Sequence, residues 1–234
     1  MKFKIINGLQ IFAPYSREEL INFALKEKKI LIALGAEKIY HTNDVTKNII
    51  NKNIGYPDGI GAVLALKKKG FKNTVKIPGC ELWLDIINKF NKHKTFYLIG
   101  GEQEIITKVI RKLNLEYPGI NILNYRNGYL KTKSDQHDLI EDIKQKKPDI
   151  VFVAMGSPKQ ELLMNEIYLE HNAIYLGLGG SFDIYAGKNK RAPKWWIDHK
   201  LEGFYRLIQQ PTRIKRFVKV IPFWFKLLIF GKIK

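Results

Sequence analysis

Asp58 stands in the run Tyr56-Pro57-Asp58-Gly59-Ile60-Gly61, where a proline fixes the turn and two glycines allow close approach of backbone or ligand. A carboxylate presented there at a helix N-terminus could take a proton from a hydroxyl, given enough desolvation to lift its pKa. The same placement suits an ordinary aspartate N-cap of a helix over 59–69. Spacing alone leaves both roles open.

Residues 148–191 hold a second set. Pro148-Asp149-Ile150-Val151-Phe152-Val153-Ala154-Met155-Gly156 is an apolar run ending in glycine, followed by Ser157-Pro158-Lys159-Gln160-Glu161. Ala173-Ile174-Tyr175-Leu176-Gly177-Leu178-Gly179-Gly180 is another, followed by Ser181-Phe182-Asp183 and then Gly187-Lys188-Asn189-Lys190-Arg191. Two such runs look like the carboxyl ends of parallel strands around a pocket for a phosphorylated ligand, where open α/β sheets bind. Gly100-Gly101-Glu102 ends a third apolar run and could offer backbone N–H groups to an anion, a weak signal by itself.

Other chemistries fit poorly. Phe182 takes the last glycine position after Gly177-x-Gly179, which argues against a nicotinamide cofactor. No Asp-x-Asp pair is present, and His41, His93, His137, His171 and His199 lack ligand spacing, so no metal is expected. Ser157 and Ser181 lack the glycine frame of a hydrolase nucleophile.

These residues need a scaffold, and the chain supplies alternating elements. Ser16-Arg17-Glu18-Glu19 is a capping box that opens a helix. Strands are expected over 29–34, 95–99, 120–125, 149–155 and 173–178, with helices over 59–69, 81–90, 102–113, 134–146 and 159–171. Strands alternating with helices of this length predict an α/β fold, doubly wound around a mostly parallel sheet. At 234 residues and 45% hydrophobic content, one core over 1–200 is the natural reading. The single cysteine, Cys80, excludes an internal disulfide and fits a reducing compartment; the N-terminus has no cleavable apolar segment.

The net charge of +18 asks for an anionic partner: phospholipid, nucleic acid or a phosphorylated substrate. Much of it lies in 201–234, a helical appendage in which cations interleave with aromatics and no acidic residue follows Glu202. Its apolar stretch, 220–230, is broken by Pro222 and Lys226 and is too short to span a bilayer. Phe223-Trp224-Phe225 flanked by lysines suits the headgroup region of an anionic membrane. A helix packed on the core with solvated lysines is the plainer alternative.

Taken in order, the motifs resemble the WecG/TagA/CpsF glycosyltransferases, which make teichoic-acid linkage units, enterobacterial common antigen and capsular polysaccharides. The matching pieces include Pro57-Asp58-Gly59-Ile60-Gly61, Gly100-Gly101, Tyr117-Pro118-Gly119, Asn127-Gly128-Tyr129 and Pro148-Asp149. They continue through Gly156-Ser157-Pro158-Lys159-Gln160-Glu161, Gly179-Gly180-Ser181-Phe182-Asp183, Gly187-Lys188-x-Lys190-Arg191-Ala192-Pro193 and Leu201-Glu202. The resemblance implies inverting, metal-independent transfer of a sugar, typically N-acetylmannosamine, from a UDP-sugar to a polyprenyl-diphosphate-linked sugar. No cofactor other than the UDP-sugar donor substrate is implied. It further implies a cytoplasmic protein held peripherally on the inner face of the plasma membrane, with self-association into a homo-oligomer as a further expectation.

Residue by residue, Asp58 matches the carboxylate proposed as base, and Gln160 the glutamine beside the reacting sugar. Arg206, Arg213 and Arg216 match the spacing of the appendage arginines that hold the diphosphate. With no divalent cation, such groups and backbone amides must carry the departing charge. Lys188 and Arg191 join them as candidate clamps, and Gly100, Gly101, Gly156, Gly180, Ser181 and Asp183 as candidate pocket walls. The chain departs from the family pattern at Ala33-Leu34-Gly35-Ala36-Glu37, where a Thr-x-Asn-x-Glu run is usual. Losing both polar groups bears on which sugar is transferred. Gly203 also stands where a bulky aromatic is common, with Phe204 as its expected substitute. The rival classes are a basic nucleic-acid-binding module and an inactive membrane-associated scaffold of the same fold. The transferase reading expects no nucleic-acid partner.

Overall fold

The computed structural model describes residues 1–199, 201–209, 214–225 and 227, leaving aside the side chains of 206 and 215–217. Six parallel strands form the sheet in the order β4-β3-β8-β7-β5-β6. They are β3 (Ile30–Leu34), β4 (Ile54–Pro57), β5 (Thr95–Gly100), β6 (Asn121–Arg126), β7 (Ile150–Ala154) and β8 (Ile174–Gly177). β7 and β8 are buried along their whole length, which is why they are continuous apolar runs without alternation.

Side chains alternate to the two faces and build two cores. Tyr97, Ile99, Val151, Val153 and Tyr175 pack on one face with Ala62, Leu66, Leu139, Ile143, Met164 and Ile167. These belong to α4 (Ile60–Lys68), α7 (Lys133–Lys146) and α8 (Lys159–Glu170). Phe96, Leu98, Phe152 and Leu176 pack on the other face with Leu20, Trp83, Ile86, Ile106 and Val109. Their helices are α1 (Arg17–Glu27), α5 (Gly79–Phe90) and α6 (Gln103–Glu116). Helices on both faces of a parallel sheet make the fold doubly wound, as the alternation predicts. The expected capping box at α1 forms in part: the Ser16 hydroxyl accepts the Glu19 N–H at 3.0 Å, while Glu19 reaches the Tyr15 N–H at 2.8 Å.

Four further elements lie in the first 57 residues. β1 (Phe3–Ile6) and β2 (Leu9–Phe12) form an antiparallel hairpin around Asn7-Gly8, both with positive φ, the geometry a two-residue hairpin turn needs. α2 (Ala36–His41) and α3 (Asp44–Lys52) follow β3 and lead into β4. Thr42-Asn43 serves α3 locally, since Asn43 is its N-cap and accepts the Thr46 N–H at 2.8 Å.

Past β8 come α9 (Ser181–Tyr185), α10 (Lys194–Asp198), α11 (Glu202–Gln209), α12 (Ile214–Lys219) and α13 (Ile221–Phe225). Phe223 is fully buried against Tyr40 of α2 and the first turn of α4. A Cβ on Gly61 would come within 2.9 Å of the Phe223 ring, so the missing side chain is what seats it. Phe204 stacks on Trp196 rather than filling the core.

Candidate active site

The parallel strands bring six glycine-bearing loops to one end of the sheet. β3 and β4 pair in parallel to their last residues, Leu34 beside Pro57, and the Asp58 N–H continues the ladder to the Leu34 carbonyl at 3.2 Å. Asp58 and Gly35 therefore emerge side by side. The N-cap of α4 is Gly59, and the Asp58 carboxylate turns away from that helix. Its Oδ1 accepts the N–H of Gly79, the first residue of α5, at 2.7 Å. Asp58 thus caps a helix that starts about twenty residues later, and the N-terminal dipole of α5 favours its charge.

Below it, the Tyr56 ring is fully buried and its hydroxyl has no hydrogen-bond partner among the described residues. Burial foremost, then the charges of Asp58 and Cys80, push this phenol well above its ordinary pKa, so it stays protonated.

At the neighbouring ends, Cβ atoms added to Gly35, Gly156 and Gly179 would all meet open space. These glycines lie bare beyond the carboxyl ends of β3, β7 and β8, where an open α/β sheet offers its binding crevice. Gly35 leaves bare a position where the resemblance expects a polar side chain, directly beside Gly59. Gln160, in the first turn of α8, is buried. Its Oε1 accepts the Gly179 N–H at 2.9 Å and its Nε2 donates to Glu161 Oε1 at 3.2 Å. Ser181 is buried too, and its hydroxyl donates to the Leu178 carbonyl at 2.7 Å. Gln160 and Ser181 hold the loop after β8 in shape from within.

Gly100 and Gly101 close the far side. At φ +133° Gly100 lies so close to Ala154 that a methyl group would overlap its carbonyl, so only glycine fits between β5 and β7 here. Gly128 packs against Gly100 from the β6 loop. Lys188 bridges to Glu102, the N-cap of α6, at 2.7 Å, and Asp183 lies nearby on α9. Arg191 is elsewhere: it pairs with Glu81 in the first turn of α5, and Glu81 also holds Arg17 at 2.9 Å. The two candidate clamps in the core thus flank the crevice, Lys188 on the β5 side and Arg191 on the Asp58 side. Arg213 lies outside the described residues, as do the side chains of Arg206 and Arg216.

Sequence reasoning passed over Lys38, Gly79 and Tyr56, and gave Glu161 no role. Gly79 and Lys38 sit in no recognisable spacing, and only the packing of α5 and α2 brings them in. A groove of about 390 Å³ between α1 and α5, lined by Arg17, Ile21, Asp85 and Lys89, lies on a helical face away from the strand ends. Among the described residues, no three His, Cys, Asp or Glu side chains converge to hold a metal ion.

A crevice over the carboxyl ends of a parallel sheet, with one fixed carboxylate and bare glycines, marks the chain as an α/β enzyme. The Glycosyl transferase WecG/TagA/CpsF family matches residues 6–233, and the chain belongs to that family. It is a glycosyltransferase of cell-surface polysaccharide synthesis, a class that moves sugar from a sugar nucleotide to a lipid-linked acceptor.

Proposed function

We propose that this glycosyltransferase is inverting and metal-independent and uses a UDP-sugar, N-acetylmannosamine or a related hexose, to extend a polyprenyl-diphosphate-linked sugar. The observation that carries the reading is the Asp58 carboxylate, fixed on the Gly79 N–H at the open end of β4 beside the bare backbone of Gly35. An acceptor hydroxyl entering there passes its proton to Asp58 as its oxygen bonds to the anomeric carbon. The bond to UDP breaks on the opposite face, and the electron pair leaves with the diphosphate. Lys188 and Arg191 in the core, with Arg206, Arg213 and Arg216 of the 201–234 appendage, neutralise that charge together with the loop amides.

Gln160 shapes the donor pocket through the loop at Gly179, and Gly156, Gly180 and Asp183 wall it. The missing polar pair at Ala33 and Gly35 leaves room for a donor that presents no hydrogen-bonding group there. No helix among the described residues is long and apolar enough to cross a membrane. The appendage meets the bilayer from the cytoplasmic side instead, with Ile214, Val218, Ile221 and Phe225 all at least half exposed.

Release of UDP from candidate donors, with a lipid-diphosphate acceptor and a chelator present, tests the scheme. Asp58→Asn keeps an oxygen for the Gly79 N–H, so the fold is retained, while loss of the base lowers kcat about 100-fold to 10,000-fold. Equal turnover by the variant removes Asp58 from the chemistry. Turnover that returns only with manganese or magnesium removes the metal-independent mechanism.

A further inference from the structure

A hydrogen-bonded chain crosses beneath the crevice from α2 to the loop after β8. Lys38 Nζ lies 2.6 Å from Glu161 Oε1, and the same oxygen accepts Gln160 Nε2 at 3.2 Å. Gln160 Oε1 in turn accepts the Gly179 N–H at 2.9 Å. The Glu161 side chain is completely buried, the Lys38 side chain only 15% exposed, and Glu161 Oε2 has no hydrogen-bond partner among the described residues. A Cβ on Gly177 would run into the Gln160 amide, so the strand itself makes room for this arrangement.

The chemistry of the groups fixes the direction of every bond. An ionised carboxylate only accepts and an ammonium only donates, whereas an amide does one at each end. With Glu161 charged, the Gln160 NH2 must face it and the carbonyl oxygen must face Gly179. A flipped amide would set two acceptors together at Glu161 and two donors together at Gly179. What keeps a fully buried carboxylate charged is its cation. Lys38 is the only cation the described residues bring to Glu161.

We propose that Lys38 is a positioning residue of the transfer reaction, which acts through Glu161 to set the Gln160 amide and thereby the Gly179–Gly180 wall of the donor site. The inference rests on the reading of that crevice as the donor site. It also gives α2 a part in the site. Lys38 lies three residues after Gly35, where the polar pair is missing, so the element that lost its direct contacts to the crevice keeps an indirect one.

The test is a cycle of Lys38→Met and Glu161→Gln, read by donor kcat/KM and by hydrogen exchange of the Gly179 amide. Glutamine at 161 keeps an acceptor for Gln160 and removes the charge that needs Lys38. In the wild-type background, Lys38→Met is expected to lower kcat/KM by about tenfold to a hundredfold, the scale of an ångström of misplacement. It is also expected to speed Gly179 exchange about tenfold, one unit of 1.4 kcal/mol. Lys38→Arg, which keeps the cation, restores most of both. In the Glu161→Gln background, Lys38→Met is silent.

An undiminished effect of Lys38→Met in that background overturns the proposal, as does a wild-type-like Gly179 amide in Lys38→Met alone. Should Lys38→Met not fold, the double variant decides: Gly179 protection equal to that of Glu161→Gln supports the proposal, and lower protection refutes it. The exchange readout needs no substrate, so failure of every UDP-sugar to react would count against the donor assignment and leave this inference separately decided.

Discussion

In the sheet, β7 and β8 bury every residue, whereas α12 and α13 expose Ile214, Val218, Ile221 and Phe225 and bury Phe223 within the same short stretch. Both regions carry apolar side chains, yet among the described residues the strands are covered on both sides and α12 and α13 on one side alone. The sheet strands are sealed by helices and gain their full transfer energy. The appendage buries Val220, Phe223 and Leu227, with Phe223 seated against α2 and α4, and leaves Ile214, Val218, Ile221 and Phe225 half exposed. A solitary exposed leucine is ordinary, but a row of half-exposed large side chains beside basic residues suits an interfacial helix.

That contrast can be broken from either side, and the attachment should give the larger effect. Phe223→Ala empties the seat beside Gly61 and Tyr40. Removing a fully buried phenylalanine costs about 3–5 kcal/mol, here taken from the contact that holds α13 on α4. The expected result is a lower melting temperature and faster protease cleavage of the C-terminal segment, with slower turnover if the appendage arginines act as proposed. A variant that melts and resists protease like wild type would show that Phe223 anchors nothing.

The outward face should behave oppositely. Ile221→Ser with Phe225→Ser removes two side chains that are already half covered, worth roughly 1 kcal/mol each on transfer from water. Sedimentation with anionic vesicles should weaken about 30-fold, and melting should stay put. If vesicle binding is unchanged while melting falls, these residues face a protein neighbour and the membrane role of the appendage is lost.

The same contrast explains what the sequence disclosed. From Thr95 to Gly177, β5, β7 and β8 are apolar runs bounded by helical periods, and the elements fall where periodicity puts them. β4 escaped because Gly55 and Pro57 leave only four residues of weak strand character, although it carries the candidate base. The β1–β2 hairpin carries its own signal in Asn7-Gly8, the pair a two-residue turn with positive φ favours. At the site, Asp58 and Gln160 were legible as motif residues, but their partners were not. No spacing connects Asp58 to Gly79 or Glu161 to Lys38, since both contacts exist only once two crossovers have closed. The plainer reading of Asp58 was half right: it caps a helix, but α5 instead of α4.

The two ends of the sheet offer the smallest and cleanest comparison. Asp149 belongs to a family motif as Asp58 does, yet it lies at the amino end of β7, opposite the crevice. There it ties β5 to β7, accepting from Lys94 Nζ at 2.8 Å and from the Thr95 N–H at 2.9 Å. Burial alone would raise its carboxyl, but Lys94 and the two Thr95 donors outweigh that and hold it below the ordinary aspartate range. A depressed folded pKa means stability that is present above the unfolded value and lost as pH falls through the folded one. Asp149→Asn should therefore lower the melting temperature slightly near pH 7, and the gap to wild type should close below about pH 4, the ordinary aspartate pKa. Turnover at neutral pH should be unaffected, in contrast to Asp58→Asn. A gap that persists unchanged into acid would mean that the Asp149 hydrogen bonds, and not its charge, join the two strands. A loss of turnover without a loss of melting temperature would mean that the far end of the sheet reaches the site after all.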